Sequence, residues 1–154
     1  KKGPDAWSVL YPSIGPVWKE LVAHGYRVVI MSNQAEIGKA TKSKEKAIAE
    51  KKARFAGLVK EIGVPVLIMA ATSKSTEAAD PYRKPAGGMW TFLEKELNGG
   101  VAIDKARSFY VGDAAGRKGD HSDSDKKCAA NYGVPFFTEK DCFKDFAHKP
   151  LLAL

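Results

Sequence analysis

YRVVIM, Tyr26 to Met31, is the stretch on which the fold turns. It is a continuous β-branched run, the pattern of a parallel strand covered on both faces. Before it, Pro16 to Ala23 carries Val17, Trp18, Leu21 and Val22 at helical spacing, and Gly25 stops that helix. After it come a polar turn, SNQAEIGK, and a long basic helix from about Ser43 to Ile62. Phe55, Leu58, Val59 and Ile62 share one face of this helix and Gly63 sits at its C-terminal end. The alternation continues. VPVLIMA (Val64 to Ala70) is a second buried strand, Met89 to Leu97 a helix, SFYVG (Ser108 to Gly112) a third strand and Lys126 to Tyr132 a short helix closed by Gly133. VPFFT forms a fourth strand, and Thr138 with Asp141 three residues later caps a last helix. Helices alternating with apolar strands predict an α/β fold, a mostly parallel sheet with helices on both faces.

With 154 residues and 44% hydrophobic residues, the chain fits one compact domain and shows no internal repeat or low-complexity segment. The formal net charge of +7 and a pI of about 9.4 favour an anionic partner, nucleic acid or phosphate esters, although solubility alone explains such an excess too. Cys128 and Cys142 have no CxxC spacing and His24, His121 and His148 are scattered, which argues against a zinc site or a disulfide scaffold and for a reducing, intracellular setting. No apolar run approaches the roughly 20 residues of a membrane helix, and no signal peptide is visible. The chain opens on KKGPDAW without a Met, which reads as a fragment.

Ligands of parallel α/β sheets sit beyond the carboxyl ends of the strands. Three such ends carry polar loops here: SNQ after YRVVIM, the loop with RKP after VPVLIMA, and GDAAGR after SFYV. Ser32 and Asn33 offer a hydroxyl, an amide and neighbouring backbone N–H groups, a cradle for phosphate oxygens. Lys84 stands between Arg83 and Pro85, and a lysine on a stiffened turn serves as a point charge for a phosphoryl group. Asp113 ends the third strand, where a carboxylate suits Mg²⁺ with water and a substrate phosphate. Hydroxyl, lysine and Mg²⁺ on one rim are the parts of phosphoryl transfer, whose catalysis is mostly positioning and charge neutralisation.

SNQ, YRKPAGGMW and FYVGDAAGR resemble, in order and spacing, motifs II, III and IV of the haloacid dehalogenase superfamily. DAWSVLYPSI, YRKPAGGMW and GDAAGRKGDHSDSD are similar to its DNA 3′-phosphatase branch, the phosphatase domain of polynucleotide kinase 3′-phosphatases and their plant relatives, over nearly the whole chain. The resemblance implies a Rossmannoid three-layer sandwich and a Mg²⁺-dependent hydrolysis of 3′-phosphates at DNA strand breaks. On it, Ser32 binds the phosphate with Asn33 in support, Lys84 stabilises the nucleophile and the transferring phosphoryl group, and Asp113 ligates Mg²⁺. Asp125 takes the second acidic position of motif IV, Asp120 is another acid shared within the branch, and Arg83 and Arg117 are contacts to substrate phosphates. The implied partners are DNA with 3′-phosphate ends and other repair proteins, in the nucleus or an organelle.

Motif I, a strand ending in DxDGT whose first Asp is the nucleophile and whose second is the general acid, is missing. Asp5, in GPDAW, does not fit it. The resemblance places motif I upstream of Lys1 on the central strand. The expectation is therefore an N-terminally truncated phosphatase domain that hydrolyses nothing by itself and folds poorly without that strand. Two other readings stand beside this one. A small-molecule phosphatase of the same superfamily fits less well with the +7 charge, and an inactive DNA-end-binding module requires a gene without DxDGT. Asp123 reads equally well as helix-start charge, with Ser124 as the N-cap, and Lys42 to Arg54 as a solvated basic face. IGKAT is no P-loop, since Asn33 stands where its first Gly belongs and Ala40 follows the lysine. Trp7, Trp18 and Trp90 are expected to pack in the core.

Overall fold

A computed structural model describes residues 3–40, 43–74 and 80–144. The chain divides into two compact units, residues 1–78 and 79–154. The strands in both are parallel, so the α/β expectation holds, but among the described residues they form two separate pairs instead of one sheet.

In the first unit the elements run α1 (Ile14–Ala23), β1 (Val28–Asn33), α2 (Ala35–Lys39), α3 (Lys44–Ile62) and β2 (Val66–Ala71). β1 pairs with β2 in a register that sets Val28 opposite Val66 and Asn33 opposite Ala71. Val17 and Leu21, one helical turn apart on α1, are buried, as are Ile62, Val64, Met69 and Ala71. β1 is half-buried along its whole length instead of covered on both faces, because among the described residues it pairs only with β2. It also starts and ends two residues later than the apolar run suggests, so Ser32 and Asn33 belong to the strand itself. AEIGK is not part of a turn but the short helix α2, which buries Ile37. A Cβ on its Gly38 would collide with the Thr72 carbonyl, so the missing side chain lets α2 lie directly on the chain leaving β2.

α3 ends where expected, on Gly63 in the left-handed conformation at φ +73°. A glycine inside a helix costs about 0.5–1 kcal/mol relative to alanine. Gly57 is explained by Trp7, whose indole nitrogen would lie 2.8 Å from a Cβ there. Arg54 completes this attachment by donating from Nε to the Gly3 carbonyl at 2.8 Å.

The second unit runs α4 (Gly88–Phe92), β3 (Tyr110–Gly112), α5 (Ser124–Tyr132) and β4 (Phe136–Thr138). α4 continues through a wider π-type turn over Leu93–Leu97, which together cover the helix expected from Met89 to Leu97. Tyr110 stands opposite Phe136 and Gly112 opposite Thr138 in the β3–β4 pair. α5 starts at Ser124, with Asp123 rather than Ser124 at the cap position, and closes on Gly133 at φ +72°. Trp90 packs on Tyr132 with ring centroids 4.8 Å apart, and Tyr110 stacks on Phe136. The expected reciprocal cap is present: Thr138 N–H donates to the Asp141 carboxylate at 2.8 Å, and Asp141 N–H donates back to Thr138 Oγ1 at 3.3 Å. No described helix is long and apolar enough to cross a membrane.

Candidate active site

The sequence-predicted residues fall in both units. Ser32 and Asn33 are the last two residues of β1. Ser32 Oγ accepts a hydrogen bond from Gln34 Nε2 at 2.7 Å, and Gln34 N–H donates to the Ala71 carbonyl at 2.7 Å. Gln34, not singled out in the sequence, thus orients the hydroxyl while fastening the strand end to its neighbour.

In the second unit, Arg83 and Lys84 lie on the loop before α4, half-buried, with a cis peptide between Lys84 and Pro85. Lys84 Nζ donates to Asp125 Oδ1 at 2.7 Å; the two side chains are 12% and 5% exposed. Forty-one residues separate them in sequence. Asp125 is a convergence point. Its Oδ1 also accepts from the Tyr110 hydroxyl at 3.2 Å, its Oδ2 accepts from Ala114 N–H at 3.1 Å, and its own N–H donates to the Ala114 carbonyl at 3.1 Å. The carboxylate presses on the end of β3, so that a Cβ on Gly112 would lie 2.6 Å from both Asp125 Cβ and Cγ. Only glycine leaves room for it. Burial, followed by the Asp125 charge, pushes the Tyr110 phenol far above its ordinary range, so it remains a neutral donor to Asp125 at any physiological pH.

The loop after β3 is tied by a second charged cluster. Arg117 Nε donates to Asp120 Oδ2 at 2.9 Å, and its terminal nitrogen donates to the Asp113 carbonyl at 3.0 Å and to Glu139 Oε2 at 3.1 Å. Asp120 Oδ2 also accepts from the backbone N–H groups of Ala115 and Arg117. The loop turns at Gly116, φ +78°, a conformation that other residues rarely adopt. Arg117 is thus engaged within the loop, and Glu139 is a member that sequence spacing did not indicate. Asp123 pairs with Lys127 one helical turn on, as helix-start charge does.

These hydrogen bonds separate the acids by availability. Asp120 and Asp125 have their oxygens taken by donors, whereas the Asp113 carboxylate is exposed at the strand end. Among the described residues no three His, Cys, Asp or Glu side chains gather into a metal-binding group. An exposed carboxylate fits a hard cation that keeps several waters, so Asp113 suits Mg²⁺ as one ligand.

The Arg117 guanidinium, through its hydrogen bonds, lowers the Asp120 pKa to about 2. The unfolded value is about 3.9, so the stabilisation is complete above that pH and is lost as pH falls through about 2. Asp120→Asn is therefore expected to destabilise the protein at pH 5 to 7, and its difference from wild type in urea midpoint should shrink steadily from pH 4 to pH 2. A difference that stays constant over that range would remove the Arg117–Asp120 pair as its source.

The model of the family described as polynucleotide kinase 3 phosphatase matches residues 1–143. The polynucleotide 3′-phosphatase ZDP of Arabidopsis thaliana is 41% identical over 146 residues, covering 92% of this chain and 21% of that protein. A bifunctional polynucleotide phosphatase/kinase of Schizosaccharomyces pombe is 35% identical over 144 residues, 94% of this chain and 33% of its own length. An uncharacterized 20.8 kDa protein of Autographa californica nuclear polyhedrosis virus is 37% identical over 143 residues, 89% of this chain and 71% of its own. The chain thus spans about a fifth and a third of the two named enzymes. The likeness reaches across all three motif loops, and by it the chain belongs to the polynucleotide kinase 3 phosphatase family.

Proposed function

We propose that this chain is the phosphatase part of a Mg²⁺-dependent polynucleotide 3′-phosphatase that clears 3′-phosphates from DNA strand breaks, on a haloacid-dehalogenase-like sheet. The supporting observation is the Lys84–Asp125 pair, a half-buried lysine held at 2.7 Å on a buried carboxylate beside the loop that starts at Asp113, in a chain of this family. Asp125 fixes the ammonium, and Tyr110 and Ala114 fix Asp125, so the positive charge is preorganised for a phosphoryl group and needs little rearrangement during reaction. Ser32, whose hydroxyl Gln34 orients, is the first unit's candidate phosphate donor. Asp113 holds the metal, and Arg117 with Glu139 and Asp120 holds the Asp113 backbone in place. Bound Mg²⁺ supplies neutralisation of the phosphate charge. The family's nucleophilic aspartate belongs to the DxDGT motif, which these 154 residues do not contain, so the protein to test is the full-length one. The net charge of +7 favours polynucleotide over small phosphomonoesters, and the nucleus or a DNA-containing organelle is the matching compartment.

The test compares phosphate release from 3′-phosphorylated nicked DNA and from histidinol phosphate by the full-length protein with Mg²⁺ and with EDTA. Metal-dependent release from DNA, with little from the small molecule, is expected. Preference for histidinol phosphate, or release from DNA undiminished by EDTA, would overturn the reading.

A further inference from the structure

Two residues before Lys84, the same loop exposes an aromatic ring that the phosphatase chemistry does not use. Tyr82 is 47% exposed and meets Phe92 of α4, itself 41% exposed, edge to face with ring centroids 6.2 Å apart. The rings line an open recess of about 350 Å³ whose other walls include Pro81, Thr91 and Lys95. An exposed, contiguous aromatic pair, flanked here by Lys95 and Glu96, marks a contact surface rather than a core.

The loop that carries Tyr82 is fastened. Tyr82 N–H donates to Asp80 Oδ1 at 2.8 Å, and Gly88 N–H donates to the Pro81 carbonyl at 2.8 Å. Gly88 allows this because a Cβ there would lie 2.7 Å from the Pro81 carbonyl carbon. The ring is therefore presented at a set position, with little ordering left to occur on binding.

From this we infer that the Tyr82–Phe92 recess is a base-stacking subsite for the strand that carries the 3′-phosphate, taking a nucleobase one or two residues from the reacting end. The inference rests on the phosphatase reading, which puts the phosphate at Lys84. Two residues of chain span at most about 7 Å, and stacked bases are about 3.4 Å apart, so the Tyr82 and Lys84 backbones lie within about two base steps of each other. Aromatic faces stack any base without reading its sequence, which suits an enzyme that meets breaks in any context. Lys95 and Glu96 both stand on the rim with opposite charges, so the recess itself is neutral and what it offers a strand is the stacking face.

The experiment measures, in the full-length protein, KM for 3′-phosphorylated single-stranded decanucleotides with normal bases and with abasic residues at the last three positions. Tyr82→Ala should raise KM about tenfold or more on the normal strand, leave KM on the abasic strand within about twofold, and leave kcat on both nearly unchanged; Tyr82→Phe should behave as wild type. No change on the normal strand overturns the subsite, and so does an equal loss on both strands, which would mean a structural role. If the wild-type protein releases no phosphate from any oligonucleotide, the phosphatase reading fails. Affinity for the same decanucleotide with a 3′-hydroxyl then decides the subsite, which falls if Tyr82→Ala binds as tightly as wild type.

Discussion

In the full-length protein, on the proposed phosphatase activity, Asp125→Ala is expected to lower the unfolding free energy by about 3–5 kcal/mol and to reduce phosphate release from a 3′-phosphorylated oligonucleotide by about 100-fold or more. Both effects come from one atom group. The Asp125 carboxylate and the Lys84 ammonium are 5% and 12% exposed, so solvent screens the pair little and its loss leaves a lysine charge nearly buried without its counter-ion. The Tyr110 hydroxyl and the Ala114 N–H lose their acceptor at the same time, and each orphaned donor costs about 1–3 kcal/mol on its own. Asp125→Asn separates the two effects. The amide oxygen still accepts from Ala114 N–H, and the Tyr110 hydroxyl can turn to accept from the amide NH2, so the stability loss should be only about 1–3 kcal/mol. Without the negative charge, however, Lys84 is no longer drawn to one position, and activity should fall nearly as far as in the alanine variant. Urea unfolding at pH 7 together with initial rates on the oligonucleotide checks both arms. An asparagine variant with wild-type rates would show that Asp125 serves the fold alone.

The sequence made legible whatever repeats along a stretch of chain. Val17 and Leu21 at helical spacing, the apolar runs at Tyr26–Met31 and Val64–Ala70, the stop at Gly63 and the reciprocal Thr138–Asp141 cap all depend on residues within one turn or one strand of each other. α2 escaped because AEIGK has five residues and one buried side chain, Ile37, too few to show a period. The strand end at Ser32 and Asn33 was read as a turn because polar residues close to a strand terminus have a turn's composition. Lys84, Asp113, Asp120 and Asp125 could be marked as candidates from motif order, but which of them pair with which donors could not. The pairs reach far along the chain: Lys84 on Asp125 over 41 residues, Arg117 on Glu139 over 22. No local pattern encodes such pairs. Tyr110 and Glu139 were missed for the same reason, one lying inside an apolar strand and the other in a helix-start segment.

In the full-length protein, on the proposed phosphatase activity, Lys84→Met is expected to lower kcat on a 3′-phosphorylated oligonucleotide by about 10²–10³-fold, the usual effect of deleting one preorganised charge or donor at a reacting oxyanion. Methionine fills much the same space as the lysine stem, so packing changes little. Stability should nevertheless fall by about 3–5 kcal/mol, because Asp125 becomes a buried anion supported only by Tyr110 and Ala114. Adding Asp125→Asn removes that anion, keeps an acceptor for the Ala114 N–H, and offers its NH2 to the Tyr110 hydroxyl oxygen. Replacing a buried ion pair with neutral groups of similar shape is often close to neutral, so the double variant should regain most of the stability, with a coupling of roughly 2–3 kcal/mol between the two sites. It should regain no activity. A stable but inert double variant would mean that the fold does not require the pair and that its charge acts on the substrate. A double variant as active as wild type would remove Lys84 from the reacting phosphate. A double variant as unstable as Lys84→Met would show that the stranded anion was not the source of the loss, and that the lysine stem itself supports this part of the fold.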